Sequence, residues 1–175
     1  MNYRIEQKDA FEVYGIERVF DTADGENLKM IPAFWQEMLT NGEYEKLAKS
    51  TRNDMEKHGL CPVNSVCGYH ETNDSTFPYM LCALKTERSH AEGYQTVTIP
   101  AACWAIFKNE PHTLEETSKE TQKLISRVYT DWLPTSNYVK LDGYELELYY
   151  QDENGQYYEE TWIRVAPKNS CDGTV

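Results

Sequence analysis

The chain has 175 residues, of which 40% are hydrophobic and 26% are charged, a composition typical of a globular domain and not of a disordered tail or a membrane chain. Its 17 Lys and Arg residues against 29 Asp and Glu residues give a formal net charge of −12, which argues against direct binding to nucleic acid or to an anionic membrane. Because the N-terminal residues form no apolar signal run and no stretch approaches about 18 apolar residues, we expect a cytoplasmic protein.

The chain is rich in aromatic residues, with 13 Tyr and 4 Trp, and this excess accompanies the excess of acids. Rings beside carboxylates suit flat, cationic organic molecules. The five cysteines have no metal-ligand spacing, and the four histidines are scattered, so we interpret the former as reduced thiols and the latter as surface or turn residues. The sequence therefore predicts neither a metal site nor a cofactor.

The first half of the chain begins with a strand pattern over residues 3–20 that is interrupted once. Apolar residues then recur at helical spacing up to Gly42, which is placed to end a helix. A weaker helical pattern covers residues 43–58. Two strands are predicted after it, over residues 65–71 and 77–86.

The second half repeats this order from Tyr94 onward. A strand pattern over residues 97–107 is broken at Pro100, and Thr113 with Glu116 forms the capping box of a helix. Two strands, 144–151 and 157–166, flank an Asn-Gly turn. We therefore predict an α+β fold with duplicated strand-helix-strand-strand halves, 1–90 and 91–168, whose antiparallel sheets form a pseudo-two-fold ligand cleft. The halves make one domain, 1–168, followed by a flexible C-terminal tail, 169–175.

The final hairpin alternates apolar residues with acidic and aromatic ones. In its first strand Glu145, Glu147 and Tyr149 share one side, and in its second strand Tyr158, Glu160 and Trp162 share one side. Placing both sets on the same face predicts an acidic and aromatic wall that stacks a flat ligand and attracts its positive charge. The alternative is a solvent-exposed sheet face that carries charged side chains.

Several short motifs, taken in order, resemble the GyrI-like small-molecule-binding domains, which are the effector-binding domains of AraC-type and MerR-type bacterial regulators and also occur alone. The motifs are Tyr3-Arg4-Ile5-Glu6, Ile99-Pro100-Ala101, Trp132-Leu133-Pro134-Thr135-Ser136-Asn137-Tyr138, Glu147-Leu148-Tyr149 and Glu160-Thr161-Trp162-Ile163-Arg164-Val165.

The resemblance implies a ligand cleft between the halves with Glu160 as its central carboxylate. Candidate walls are Glu147, Tyr149 and Trp162, with Tyr69 and Tyr79 as their counterparts in the first half. Tyr138 follows a loop and either lines the mouth of the cleft or holds that loop in place.

The function implied is binding of small aromatic or cationic organic molecules by a stand-alone sensor, sequestering protein or accessory to transcription regulation. One alternative is a hydrolase of strained, cyclopropane-bearing toxins, with Glu160 as general acid or base and Tyr149 or Trp104 holding the substrate. Another is a DNA gyrase inhibitory protein. A DNA-binding regulator or gyrase is accordingly a possible protein partner.

Overall fold

The computed structural model describes residues 1–51, 59–73 and 75–168; residues 52–58 of the predicted second helix and the predicted tail 169–175 lie outside these ranges. Within them the chain forms eight strands, β1 (Asn2–Lys8), β2 (Phe11–Asp21), β3 (Asn64–Cys67), β4 (Thr76–Leu84), β5 (Gln95–Ile99), β6 (Ala102–Lys108), β7 (Tyr138–Gln151) and β8 (Tyr157–Pro167). The helices are α1 (Asn27–Asn41), α2 (Glu43–Ser50) and α3 (Thr117–Arg127), the last continued by a π-helical turn (Val128–Trp132) and by α4 (Leu133–Thr135).

The strands form one antiparallel sheet in the order β1-β6-β8-β7-β3-β4-β2-β5, which confirms the α+β class. This order is symmetric about its centre, where Val66 of β3 lies opposite Leu146 of β7. A two-fold axis through this pair exchanges β3 with β7, β4 with β8, β2 with β6 and β5 with β1. The duplicated halves that the sequence predicts are therefore related by a pseudo-two-fold axis.

The two long strand patterns of the sequence are each divided between two strands. The chain breaks at residues 9–10 and again at residues 100–101, and the pieces on either side pair in different halves of the sheet. Strand β1 pairs with β6 of the second half, while β5 pairs with β2 of the first half. The prediction of one interrupted strand per half was wrong in this respect, because alternation along the chain does not reveal where the partner strand lies.

The sheet is curled, and its concave face encloses a core. Strand β5 lies at one edge, yet only residues 100–101 connect it to β6 near the opposite edge, and two residues span at most about 10 Å. The two edges must therefore approach each other. The concave core accordingly joins side chains from nearly the whole sheet, among them Val13, Val66, Ile99, Trp104 and Leu146.

The helices cover the convex face in two separate groups. Helices α1 and α2 pack through Phe34, Met38 and Leu47 against β2 and β4. Helix α3 and the turn after it pack through residues that include Leu124 and Trp132 against β6 and β8. No helix in the described ranges is long and apolar enough to cross a membrane.

Candidate functional site

The central strands β3 and β7 lie between the two helix groups, and their convex face forms the floor of what we call the central cleft. Ser65 and Cys67 of β3 lie opposite Glu147 and Glu145 of β7, so all four side chains point to this face. Cys67, Glu145 and Glu147 are half-buried although helices stand on both sides. The side chains over the two central strands therefore stay partly accessible between the two helix groups.

Glu147 is held in this floor by neutral hydroxyl groups. Its Oε2 atom accepts hydrogen bonds from Tyr149 Oη at 2.8 Å and from Ser65 Oγ at 2.9 Å, with Tyr79 Oη at 3.4 Å. Among the described residues, no Lys, Arg or His forms an ion pair with it, and no donor reaches its Oε1 atom. One carboxylate oxygen is thus fixed by the protein, while the other is free to meet a ligand.

Burial raises the pKa of Glu147, and the hydrogen bonds from Tyr149 and Ser65 only partly oppose this shift. The carboxylate therefore lacks the compensation that water or a counter-ion would give to its charge. A cation bound in the cleft would supply this compensation.

Aromatic rings stand beside this carboxylate. Trp35 of α1 meets the Tyr149 ring edge-on with 5.2 Å between ring centroids, and its Nε1 donates to Tyr79 Oη at 2.9 Å. The Tyr44 ring lies next to Trp35, with 6.4 Å between ring centroids. This wall offers both ring faces and an anionic oxygen, the combination that recognises organic cations.

The other side of the floor carries a second carboxylate with a different partner. Glu145 Oε1 lies 2.9 Å from Lys140 Nζ, and the same ammonium lies 5.9 Å from the centroid of the Tyr129 ring. Burial and the neighbouring Glu145 raise the pKa of Tyr129. The charge of Glu145 is therefore compensated within the protein, in contrast to that of Glu147.

The predicted common face of the final hairpin was wrong. Leu148 lies opposite Glu160 and Glu147 lies opposite Thr161, and residues opposite each other share a face. Glu147 and Tyr149 therefore point to the convex face, while Glu160 and Trp162 point to the concave one. Alternation sorts each strand by itself, but only the register between the strands decides which sets come together. The exposed-face alternative also fails, since both faces are largely covered.

Glu160 lies at 6% exposure on the concave face and is already paired with a cation of the chain. Arg4 of β1 donates to both of its oxygens, at 2.6 and 3.1 Å, and Trp162 Nε1 donates to it at 3.0 Å. This ion pair would have to break before the carboxylate could bind a ligand cation or act as a general acid or base. The ligand-binding and catalytic roles expected for Glu160 stay predictions.

The other predicted residues are distributed over three places. Tyr79 joins Glu147 and Tyr149 at the cleft. Trp104 is fully buried against Trp162 in the concave core, where Tyr69 also lies and donates to Glu17 at 2.6 Å. Tyr138 stacks on Trp132 beside α3, and both roles expected for it stay predictions.

Six residues of the cleft did not come forward as site candidates in the sequence, namely Trp35, Tyr44, Ser65, Cys67, Tyr129 and Lys140. Trp35 has the helical spacing of a core residue, and the others are single polar or aromatic residues within regular elements. The order of the strands is the information that the sequence did not provide. Strands β3 and β7 are distant in the chain, and they become neighbours only at the two-fold axis of the sheet.

The fold and the cleft define a class, the small-molecule-binding domains built from a duplicated strand-helix-strand-strand unit. The sequence profile of the GyrI-like small molecule binding domain matches residues 1–166. The chain belongs to this family, as the motifs of the sequence indicate.

Solved structures share the fold at low sequence identity. SAV2435 bound to tetraphenylphosphonium superposes with a TM-score of 0.68 at 17% identity, over 95% of this chain and 94% of that one. A protein of Staphylococcus aureus MU50 named for transcription regulation gives a TM-score of 0.67 at 16% identity, over 94% and 98% of the two chains. Integron cassette protein VCH_CASS2 from the mobile metagenome of Vibrio cholerae gives 0.61 at 14% identity, over 94% and 95%. No curated protein matches the chain.

Proposed function

We propose that the central cleft binds aromatic organic cations, with Glu147 as the anionic anchor, and that the protein serves as a sensor or sequestering protein for such molecules. The observation that carries this proposal is the set of contacts that the Glu147 carboxylate makes and lacks. Its Oε2 atom is fixed by Tyr149 and Ser65, its Oε1 atom is open to the cleft, and no cation of the described chain neutralises it.

The surroundings of Glu147 support the same ligand class. Tyr149 contacts the carboxylate through its hydroxyl group, and Trp35 packs against the Tyr149 ring, so ring surface lies beside the charge. Ring faces attract cations most strongly where water is partly excluded. The net charge of −12 favours the approach of cations over anions. A relative with the same fold, SAV2435, has been solved with tetraphenylphosphonium, a large aromatic cation.

The decisive test compares a cation with a neutral molecule of similar shape. We expect the protein to bind tetraphenylphosphonium in isothermal titration calorimetry. Glu147→Gln should weaken this binding about tenfold or more, because the substitution removes the charge that faces the ligand. Binding of neutral triphenylphosphine oxide should change much less.

Two further variants complete this experiment. Glu45→Gln removes the same charge from the surface of α2, where Glu45 is paired with Lys49, and should leave the affinity unchanged. Glu160→Gln tests the anchor that the sequence favours. If Glu147→Gln loses affinity for the cation and for the neutral ligand equally, the electrostatic role of Glu147 is contradicted. If only Glu160→Gln loses affinity for the cation, the anchor lies on the concave face.

A further inference from the structure

Strand β7 contains a bulge that brings a lysine into the central cleft. Lys140 lies opposite Val165 and Glu145 lies opposite Ile163, so the four residues 141–144 of β7 stand against the single residue Arg164 of β8, and β7 carries three extra residues here. In a regular strand, residues five apart point to opposite faces and their Cα atoms lie roughly 17 Å apart. Here the Lys140 ammonium lies 2.9 Å from the Glu145 carboxylate on the same face.

The backbone of the bulge has left-handed residues and lies close to the end of β3. Gly143 and Tyr144 have positive φ angles of 72° and 52°. A Cβ atom on Gly143 would lie 2.7 Å from the Gly68 carbonyl oxygen, so the bulge is seated closely against the end of β3. The position of Lys140 is therefore set by the architecture of the two central strands.

The resulting floor carries one compensated and one uncompensated carboxylate. The side chains of Lys140 and Glu145 are only 21% and 26% exposed, so solvent screens their charges less than it would at an open surface. Glu147 follows Glu145 by two residues on the same face, and their Cα atoms are about 7 Å apart. A ligand that places one positive centre at Glu147 would thus bring a second centre, if it has one, close to the Lys140 ammonium.

We propose that Lys140 is a specificity-determining residue that restricts the cleft to ligands with a single cationic centre. It neutralises Glu145, which would otherwise attract a second positive centre, and it repels any such centre directly. This inference rests on the proposed function, since it concerns the ligands of the same cleft.

The test uses two flat probes that differ by one charge. Methyl viologen has two linked pyridinium rings, and methyl-phenylpyridinium has a phenyl ring in place of one of them. We expect the wild-type protein to prefer the monocation. In Lys140→Met, the ratio of dication to monocation affinity should rise about tenfold or more, because a unit charge a few Å from the second centre is removed.

Four further variants complete the test. Lys123→Met removes a lysine from the surface of α3, where it pairs with Glu120, and should leave the ratio unchanged. Lys140→Arg keeps the charge and should also preserve the ratio. If Lys140→Met unfolds, Lys140→Gln provides a second neutral side chain, and Glu145→Gln provides the converse change, in which the dication should lose more affinity than the monocation.

The outcomes separate the two proposals. If the wild type binds the monocation through Glu147 but neutral variants of Lys140 leave the ratio unchanged, the role of Lys140 is wrong and the proposed function stands. If the wild type binds neither probe nor tetraphenylphosphonium, the proposed function fails and the inference fails with it.

Discussion

Glu147 and Glu160 show how two carboxylates of one hairpin acquire different properties from their partners. Arg4 binds Glu160 through both oxygens, whereas Glu147 accepts hydrogen bonds only from hydroxyl groups in the described chain. The first arrangement stabilises the charge inside the protein. The second leaves part of that stabilisation to be supplied by a ligand, which is why we propose Glu147 as the anchor for a cation.

The pKa of Glu147 leads to a prediction about pH. Burial raises the pKa of Glu147 in the folded protein above its value in the unfolded chain, so protonation of this carboxyl stabilises the folded state. The stabilisation is complete below the ordinary Glu pKa of about 4.3. It is lost as the pH rises through the pKa of the folded protein. Glu147→Gln should therefore gain stability relative to the wild type in urea unfolding as the pH rises from about 4 through the folded pKa. Tetraphenylphosphonium affinity should rise over the same pH range in the wild type only. A constant stability difference between the two proteins would contradict the shift.

His112 illustrates what the sequence could not reveal about single residues. The scattered histidines were expected at the surface or in turns, but His112 is 6% exposed, and its Nε2 lies 2.9 Å from an oxygen of the fully buried Glu159. The two residues are distant in the chain and meet because the segment before α3 lies along β8. Lys140 was missed for a similar reason, since its place depends on a bulge that has no clear sequence pattern.

At the scale of elements, periodicity predicted most helices and strands but not how they pair. The capping box of Thr113 and Glu116, the end of α1 at Gly42 and the final hairpin are all present. The register of that hairpin depends on the length of its turn, and the division of the long strands depends on partners in the other half. The first is a local property of the turn and the second is a long-range one, and together they decided which candidate residues reached the cleft.

The bulge of β7 offers a test at this scale. Gly143→Ala should destabilise the fold by about 1–3 kcal/mol, because the new methyl group meets the Gly68 carbonyl oxygen and the residue must keep a positive φ. Gly93→Ala is the matched control, since Gly93 has a φ of 86° but nothing within 4 Å of an added Cβ. Urea unfolding of both variants isolates the cost of the close approach. Equal destabilisation would show that the bulge is not tightly seated.

At the scale of the whole molecule, the exchange of edge strands makes the two halves dependent on each other. Each half gives one edge strand to the other, and the concave core contains side chains of both. We therefore propose that the two halves are not separate folding units and that residues 1–168 fold as one domain.

Separate expression of residues 1–90 and 91–168 tests this dependence. We expect neither fragment alone to give a cooperative thermal transition by circular dichroism, because each lacks the strand that completes its sheet and half of the concave core. Mixing the fragments should restore a cooperative transition and a complex of the full mass in size-exclusion chromatography. Cooperative unfolding of either fragment by itself would contradict the prediction.

The pseudo-two-fold axis through Val66 and Leu146 has a consequence for how a ligand is oriented. The axis exchanges Ser65 with Glu145 and Cys67 with Glu147, so the symmetric backbone of the cleft carries its charges on one strand only. A symmetric floor would accept every guest in two equivalent poses related by a half-turn. The uneven floor removes this degeneracy, so under the proposed binding mode we expect a molecule with distinct ends to favour one of the two orientations.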